Sequence, residues 1–117
     1  MKLTILFGGA SFEHEISIVS AITLKDKLSK FDLSFIFCDG DHLFYNIDSS
    51  KMKATTFSSG EHKKMPQLTL TNGAFVQKNM FSTIELRNVV LNLIHGADGE
   101  DGTISSLLDF HSIKYIG

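Results

Sequence analysis

Short apolar runs alternate along this chain with segments of helical periodicity. Residues 3–7 and residues 88–94 are two runs dominated by Leu, Ile, Val and Phe, and the first one stops at Gly8-Gly9. Apolar runs of this length that end at turn residues are typical of strands buried on both faces of a sheet. We therefore expect buried strands at both places.

Two segments have the features of helices. Residues 13–29 contain no glycine or proline, begin with acidic residues and end with lysines, which suits the dipole of a helix. Residues 103–111 repeat apolar positions at helical spacing. Because residues 31–38 form another apolar run, residues 3–38 predict a right-handed βαβ crossover with parallel strands.

Shorter strands complete the predicted sheet. They are expected at residues 43–47, 68–70, 74–76 and 113–116, and Asn72-Gly73 predicts a hairpin turn. Residues 48–66 are rich in serine and lysine and are expected to be a surface excursion. The chain is thus predicted to be one α/β domain, with an open, mostly parallel sheet and flanking helices.

Composition narrows the classes of function. The net charge is −2, and no cluster of basic residues exceeds Lys63-Lys64, so nucleic acid is not an expected partner. Cys38 is the single cysteine, which rules out an intramolecular disulfide and a zinc-thiolate site. The apolar N-terminal run is too short for a signal peptide or a membrane span. We expect a cytoplasmic protein without membrane contact.

Residues 8–17 follow the first strand, at the sheet edge where α/β proteins bind ligands. A dinucleotide fingerprint would need glycine at positions 10 and 13, and no Gly-Lys-Ser/Thr of a P-loop follows. Ile18 stands where a zinc protease helix starting at His14 would need its second histidine. Glu13 and Glu15 then either stabilise a helix N-terminus, or Glu13 binds a cation such as a substrate ammonium group.

Residues 95–102 follow another buried strand and combine one imidazole, three carboxylates and three glycines. His95 and Glu100 near the edge that carries Glu13 favour a ligand site. A metal site would use His95, Asp98, Glu100 and Asp101, but no EF-hand pattern and no second histidine supports it. Of the other histidines, His42 and His62 are expected to be solvated, and His111 to pack against its helix or lie at the surface.

Both segments resemble the N-terminal lobe of the D-alanine:D-alanine ligases, members of the ATP-grasp superfamily. Residues 8–17 and 95–102 are similar to the two sequence motifs of that lobe, and residues 113–117 are similar to its end. The resemblance implies a Rossmann-like pre-ATP-grasp domain over residues 1–117. It also implies that the ATP-grasp domains lie outside this chain, which we expect to be inactive alone.

The resemblance further implies roles for individual residues. Glu13 would be the catalytic residue that binds the ammonium of the first D-alanine and supports a mobile loop. His95 would contact the same substrate, and Ile16 would line its methyl pocket. Glu100 and Ser17 would support these substrate-binding residues without touching the substrate. No metal ligand is expected in this chain.

ATP and Mg²⁺ would serve the full-length enzyme, which is expected to be a homodimer that makes D-alanyl-D-alanine for peptidoglycan. The residues alone leave two alternatives open. One is a stand-alone α/β module that binds a small anion or nucleotide at a helix N-terminus. The other is a metal-dependent hydrolase built on the acidic loop.

Overall fold

A single sheet organises the computed structural model, which describes residues 1–9, 14–94 and 100–117, with only the backbone of Glu100 and Asp101. The strands in these ranges are β1 (Lys2–Gly8), β2 (Asp32–Cys38), β3 (Phe44–Ile47), β4 (Gln67–Thr71), β5 (Ala74–Lys78), β6 (Thr83–Leu86), β7 (Val89–Asn92) and β8 (Tyr115–Ile116). The α-helices are α1 (His14–Lys27), α2 (Ala54–Ser58) and α3 (Glu100–Phe110).

The strand order is β6-β5-β4-β3-β2-β1-β7-β8. β1 runs parallel to β2 and β7, and β7 runs parallel to β8, whereas every pairing from β2 to β6 is antiparallel. The α/β class is confirmed, but the sheet is mixed rather than mostly parallel. Three of the antiparallel pairs are joined by short connections, which can only reverse the chain, whereas parallel pairs need a crossover.

The predicted βαβ unit is confirmed, because α1 connects the parallel strands β1 and β2 in a register that pairs Leu6 with Ile36. Successive β1 side chains alternate between two apolar layers. Leu6 belongs to the layer that contains Ile104 and Leu108 of α3. Ile5 and Phe7 belong to the layer with Ile18 of α1 and Phe57 of α2, and all three β1 side chains are fully buried.

The hairpin prediction is also confirmed. β4 and β5 pair in antiparallel register from Thr71 and Ala74, and Gly73 has φ +78° in the turn. Strand β6 was not expected from the sequence, since its side chains are mostly exposed and show little alternation. Among the described residues, no helix is long and apolar enough to cross a membrane.

The expectation for residues 48–66 was wrong in one respect. They contain α2 and two short 3₁₀ helices (Ser49–Lys51 and Glu61–Lys64), and they bury four side chains: Met52, Thr56, Phe57 and His62. His62 is 6% exposed rather than solvated, while His42 is exposed as expected. The polar composition of the segment reflects its outer side, whereas Met52, Phe57 and His62 pack on the layer around Phe7 and Phe37.

Candidate functional site

The parallel strands β1, β2 and β7 end at one edge of the sheet. Gly8 pairs with Cys38, and Leu6 pairs with Asn92. Just beyond β7, the amide of Leu93 donates to the carbonyl oxygen of Leu6 at 2.8 Å. The segments that follow β1 and β7 therefore leave the sheet from adjacent strands, at the edge where open α/β sheets bind ligands.

The structure describes only some of the site residues predicted from the sequence. Glu13 and His95 lie outside the described residues, as does the side chain of Glu100. Their proposed roles stay predictions. Ile16 and Ser17 are described in the first turns of α1, where Ile16 is 66% exposed and Ser17 is buried.

The turn after β1 depends on two glycines. Gly8 and Gly9 have φ +101° and +98°, a region that favours glycine. A β-carbon on Gly8 would lie 2.3 Å from the carbonyl oxygen of Cys38 and 2.8 Å from Cε1 of Phe37. The turn therefore passes too close to β2 for any other residue.

Ser17 ties α1 to this turn. Its Oγ accepts the buried amide of Gly8 at 2.9 Å, while the amide of Gly9 donates to the carbonyl oxygen of Cys38 at 2.8 Å. Ser17 therefore acts on the backbone of this turn, and its expected role behind the substrate-binding groups stays a prediction. This contact orients the start of α1 relative to the end of β1.

We predict that Ser17→Ala lowers the free energy of unfolding by about 1 to 3 kcal/mol, because the buried amide of Gly8 loses its acceptor. Urea unfolding of the 117-residue chain measures this difference. Ser20→Ala, one turn further along α1 at a half-buried position, is the matched control and should change the stability by less than about 0.5 kcal/mol. Equal effects of the two substitutions would contradict the role given to Ser17.

His14 fixes the other end of the segment that contains Glu13. Its Nδ1 donates to the carbonyl oxygen of Gly9 at 2.6 Å, and its ring meets that of Phe37 edge to face at 5.3 Å. This hydrogen bond joins Gly9 to His14, the two residues that flank residues 10–13. In the sequence, His14 serves only to exclude a zinc motif. A histidine five residues after a Gly-Gly turn was the available signal.

Aromatic rings fill the space under this turn. Phe37 packs against Phe7 at 5.5 Å, Phe57 at 4.7 Å and His62 at 4.8 Å, measured between ring centroids. Burial lowers the pKa of His62 below its ordinary value of 6.5, although a hydrogen bond to the backbone of Thr56 and the charge of Asp39 oppose the shift.

A cleft of about 340 Å³ opens between α1 and α2, beside the same turn. Its walls combine apolar side chains of both helices with His14 and Glu15 at the start of α1. Val19, which also lines the cleft, is 61% exposed. The outer side of α1 around Ile16 and Val19 is thus exposed.

Asn92 shapes the other side of the edge. It is buried, and its Oδ1 accepts the amide of Ile94 at 3.0 Å, which turns the chain just before residue 95. Among the described residues, no three His, Cys, Asp or Glu side chains are grouped so that they could hold a metal ion. The acidic loop of the metal-hydrolase alternative falls outside that set of residues.

Comparison with known proteins identifies relatives of the whole chain. The family model described as "D-ala D-ala ligase N-terminus" matches residues 2–117. A D-alanine–D-alanine ligase of Sulfurimonas denitrificans is 74% identical over 100% of this chain, which covers 34% of that relative. One of Helicobacter hepaticus is 52% identical, again with 100% of this chain and 34% of the relative covered.

Solved structures agree in fold. The crystal structure of the D-alanine–D-alanine ligase from Helicobacter pylori matches with a TM-score of 0.85 and 47% identity, over 100% of this chain and 38% of that one. The VanG D-Ala:D-Ser ligase of Enterococcus faecalis, at 24% identity, shares the fold with a TM-score of 0.75, over 98% of this chain and 35% of its own.

The chain spans about a third of the length of the curated relatives it matches. Within that third, the match runs from the first strand to the last residue and includes both segments that follow β1 and β7. The chain therefore belongs to the D-alanine–D-alanine ligase N-terminus family.

Proposed function

We propose that this chain is the substrate-binding lobe of an ATP-dependent ligase that joins two D-alanines into D-alanyl-D-alanine for peptidoglycan synthesis. The observation that carries the proposal is the family match over residues 2–117, which includes both polar segments. The adjacent ends of β1 and β7 support it, because they place the beginnings of both segments at one edge. A pocket for a small amino acid needs groups from more than one segment.

Glu13 provides the charge that such a substrate requires. The ammonium of the first D-alanine would donate to its carboxylate, and hydrogen bonds between charged groups are among the strongest in proteins. The hydrogen bonds of His14 and Ser17 on either side of the turn support this role, because they restrain the ends of the segment.

His95 would contact the same D-alanine from the segment after β7, with Glu100 orienting it or bracing the loop. Ile16 would line the pocket of the substrate methyl group, and its exposed side chain on α1 is available for such a contact. Ser17 would act indirectly through the amide of Gly8. In this proposal no serine or cysteine of the chain acts as a nucleophile.

ATP, bound with Mg²⁺, would supply the phosphoryl group that converts the carboxylate of the first D-alanine to an acylphosphate. The amine of the second D-alanine then attacks the acyl carbon, the amide bond forms, and phosphate leaves together with a proton from the amine. We assign nucleotide and metal binding to the two thirds of the relatives that this chain does not cover. We further propose a cytoplasmic homodimer for the complete enzyme, without membrane or nucleic-acid partners.

A chimera tests the proposed function. The 117 residues replace the matching third of the Sulfurimonas denitrificans ligase, with which they share 74% identity. We expect the chimera to release phosphate and form D-alanyl-D-alanine only when ATP, Mg²⁺ and D-alanine are all present, and the 117 residues alone to form none. A folded chimera without dipeptide synthesis would contradict the proposal.

The same preparations test the two alternatives. Tight nucleotide binding by the isolated chain, measured by calorimetry, would favour the anion-binding module. Stoichiometric metal in the purified chain, measured by mass spectrometry, would favour the hydrolase. We expect neither result.

A further inference from the structure

The turn between β4 and β5 contains the pair Asn72-Gly73, whose chemistry the proposed function does not use. In such a pair, the backbone nitrogen of the glycine can attack the side-chain amide carbon of the asparagine. Glycine hinders this attack least, because it has no β-carbon. Asn72 is exposed and Gly73 is half-buried, so the reactive pair lies at the surface, within reach of water.

The peptide unit that joins Asn72 to Gly73 is held at both ends. Its N–H donates to the carbonyl oxygen of His111 at 2.6 Å, shorter than the usual value of about 2.9 Å, and its carbonyl oxygen accepts Nη1 of Arg87 at 3.2 Å. Gly73 has φ +78°, whereas Asn72 is not among the residues with positive φ. These signs fit a type II turn and not the type I′ turn that Asn-Gly favours. The partners of the peptide unit therefore accompany a turn type that the sequence alone does not favour.

The carbonyl oxygen of His111 is available because of the way α3 ends. The amides of Ile113 and Ser112 donate to the carbonyl oxygens of Leu108 and Asp109 at 2.9 and 3.0 Å, and Ser112 has φ +56°. These are the two hydrogen bonds and the left-handed residue of a Schellman motif, with serine where glycine is usual. Leu108 and Ile113 are buried in one apolar layer, which anchors this end of α3. The motif does not use the carbonyl oxygen of His111, which the turn occupies.

We propose that Asn72 is a site of slow covalent modification, deamidation through a succinimide, and that the end of α3 controls its rate through the bond between His111 and Gly73. The nitrogen of Gly73 gives its proton to hydroxide and forms a bond to Cγ of Asn72. The bond from Cγ to Nδ2 then breaks, and Nδ2 leaves as ammonia with a proton from water. Water opens the ring at either carbonyl and gives aspartate or isoaspartate. This modification does not depend on the proposed function.

The bond to His111 must open before the reaction begins, because the nitrogen of Gly73 has to lose the proton that it donates there. Arg87 acts in the opposite direction. Its positive charge beside the carbonyl oxygen of Asn72 favours the deprotonated peptide unit. The turn is therefore chemically reactive, and its rate of modification is set by how often the end of α3 releases it.

The products alter the turn in different ways. Aspartate at position 72 adds a carboxylate beside Arg87. Isoaspartate adds one backbone atom between residues 72 and 73, which does not fit a two-residue turn whose flanking residues, Thr71 and Ala74, are paired. The isoaspartate form therefore loses the bond to His111, and the hairpin of β4 and β5 is released from the end of α3.

Peptide mapping by mass spectrometry tests the modification. The 117-residue chain is incubated at mildly alkaline pH, folded and unfolded in urea, beside a synthetic peptide of residues 69–76 that lacks α3. We expect Asn72 to deamidate at least about tenfold more slowly in the folded chain than in the peptide, and the unfolded chain to match the peptide. Asn72→Gln, whose longer side chain closes a less favourable ring, is the control and should show no conversion.

Substitutions of Ser112 test the control by α3 without changing the turn. Ser112→Gly suits φ +56° and should slow deamidation by about two- to threefold, whereas the β-branched Ser112→Val should accelerate it by about fivefold. Deuterium exchange of the Gly73 amide should change by the same factor in each variant, because both reactions need the same bond to open. These changes should exceed those of the amides in β1, which report global unfolding.

The two measurements together decide the proposal, and Ser112→Gly suffices if Ser112→Val does not fold. Deamidation of the folded chain as fast as that of the peptide would show that α3 exerts no control. A rate at Asn72 that does not follow the exchange of the Gly73 amide would overturn the proposal as well. So would conversion confined to the urea-unfolded chain and the peptide, with none in any folded variant.

Discussion

Glu13→Ala in the chimera should reduce kcat/KM for D-alanine by about ten- to a hundredfold, while the KM for ATP changes little. The reason is the loss of a charge-assisted hydrogen bond to the substrate ammonium, worth about 1.5 to 3 kcal/mol, in which each 1.4 kcal/mol is about a factor of ten. Steady-state dipeptide synthesis at varied D-alanine and saturating ATP measures the effect. Glu13→Gln keeps an acceptor without the charge and should fall in between.

Glu15→Ala is the matched control, because Glu15 is an exposed acid in the first turn of α1. It shares any favourable interaction with the helix dipole, which contributes about 0.3 to 1 kcal/mol to stability, and lacks the proposed substrate contact. We expect its kcat/KM to stay within about threefold of the parent. If Glu13→Ala lowered only the stability, as Glu15→Ala can, Glu13 would be a helix-stabilising acid and not a substrate ligand.

Gly8→Ala should lower the free energy of unfolding by about 3 to 5 kcal/mol, a large fraction of the stability of a domain. Two effects add at this position. The backbone has φ +101°, and the new β-carbon would meet the carbonyl oxygen of Cys38 at 2.3 Å, where a strand backbone cannot move away. Urea unfolding of the 117-residue chain, followed by circular dichroism, gives the difference.

Two other glycines separate these effects. Gly60 has φ +81° but open space around a β-carbon, so Gly60→Ala should cost only about 1 to 2 kcal/mol. Gly40 has open space and is not among the positive-φ positions, so Gly40→Ala should be within about 0.5 kcal/mol of neutral. A loss at Gly8 no larger than that at Gly60 would show that the close approach to β2 contributes nothing.

Periodicity predicted the elements that are buried or strongly patterned. The apolar run of residues 3–7 became β1 (Lys2–Gly8), and the uninterrupted segment after it became α1 (His14–Lys27). The antiparallel half of the sheet was harder to predict. β6 has mostly exposed side chains, and its pairing with β5 depends on tertiary contacts that leave only a weak trace in a single sequence.

For the site, strand ends could be predicted and the supporting contacts could not. The sequence placed Glu13 and His95 after two buried strands, and those strands are adjacent and parallel. It did not predict the bond of His14 to Gly9 or the burial of His62. His62 lies among serines and lysines in the sequence. Its apolar surroundings come from Phe37 on β2, Tyr45 on β3 and Phe57 on α2, which only the fold brings next to it.

The position of β1 inside the strand order has a consequence for biosynthesis. β1 is made first, yet one of its two neighbours, β7, begins only at Val89. While the ribosome adds the intervening residues, a nascent chain can pair β1 with β2 but leaves the other side of Leu3, Ile5 and Leu6 without a partner strand. An unpaired apolar strand edge promotes aggregation, so translation beyond Asn92 is the step that protects this polypeptide.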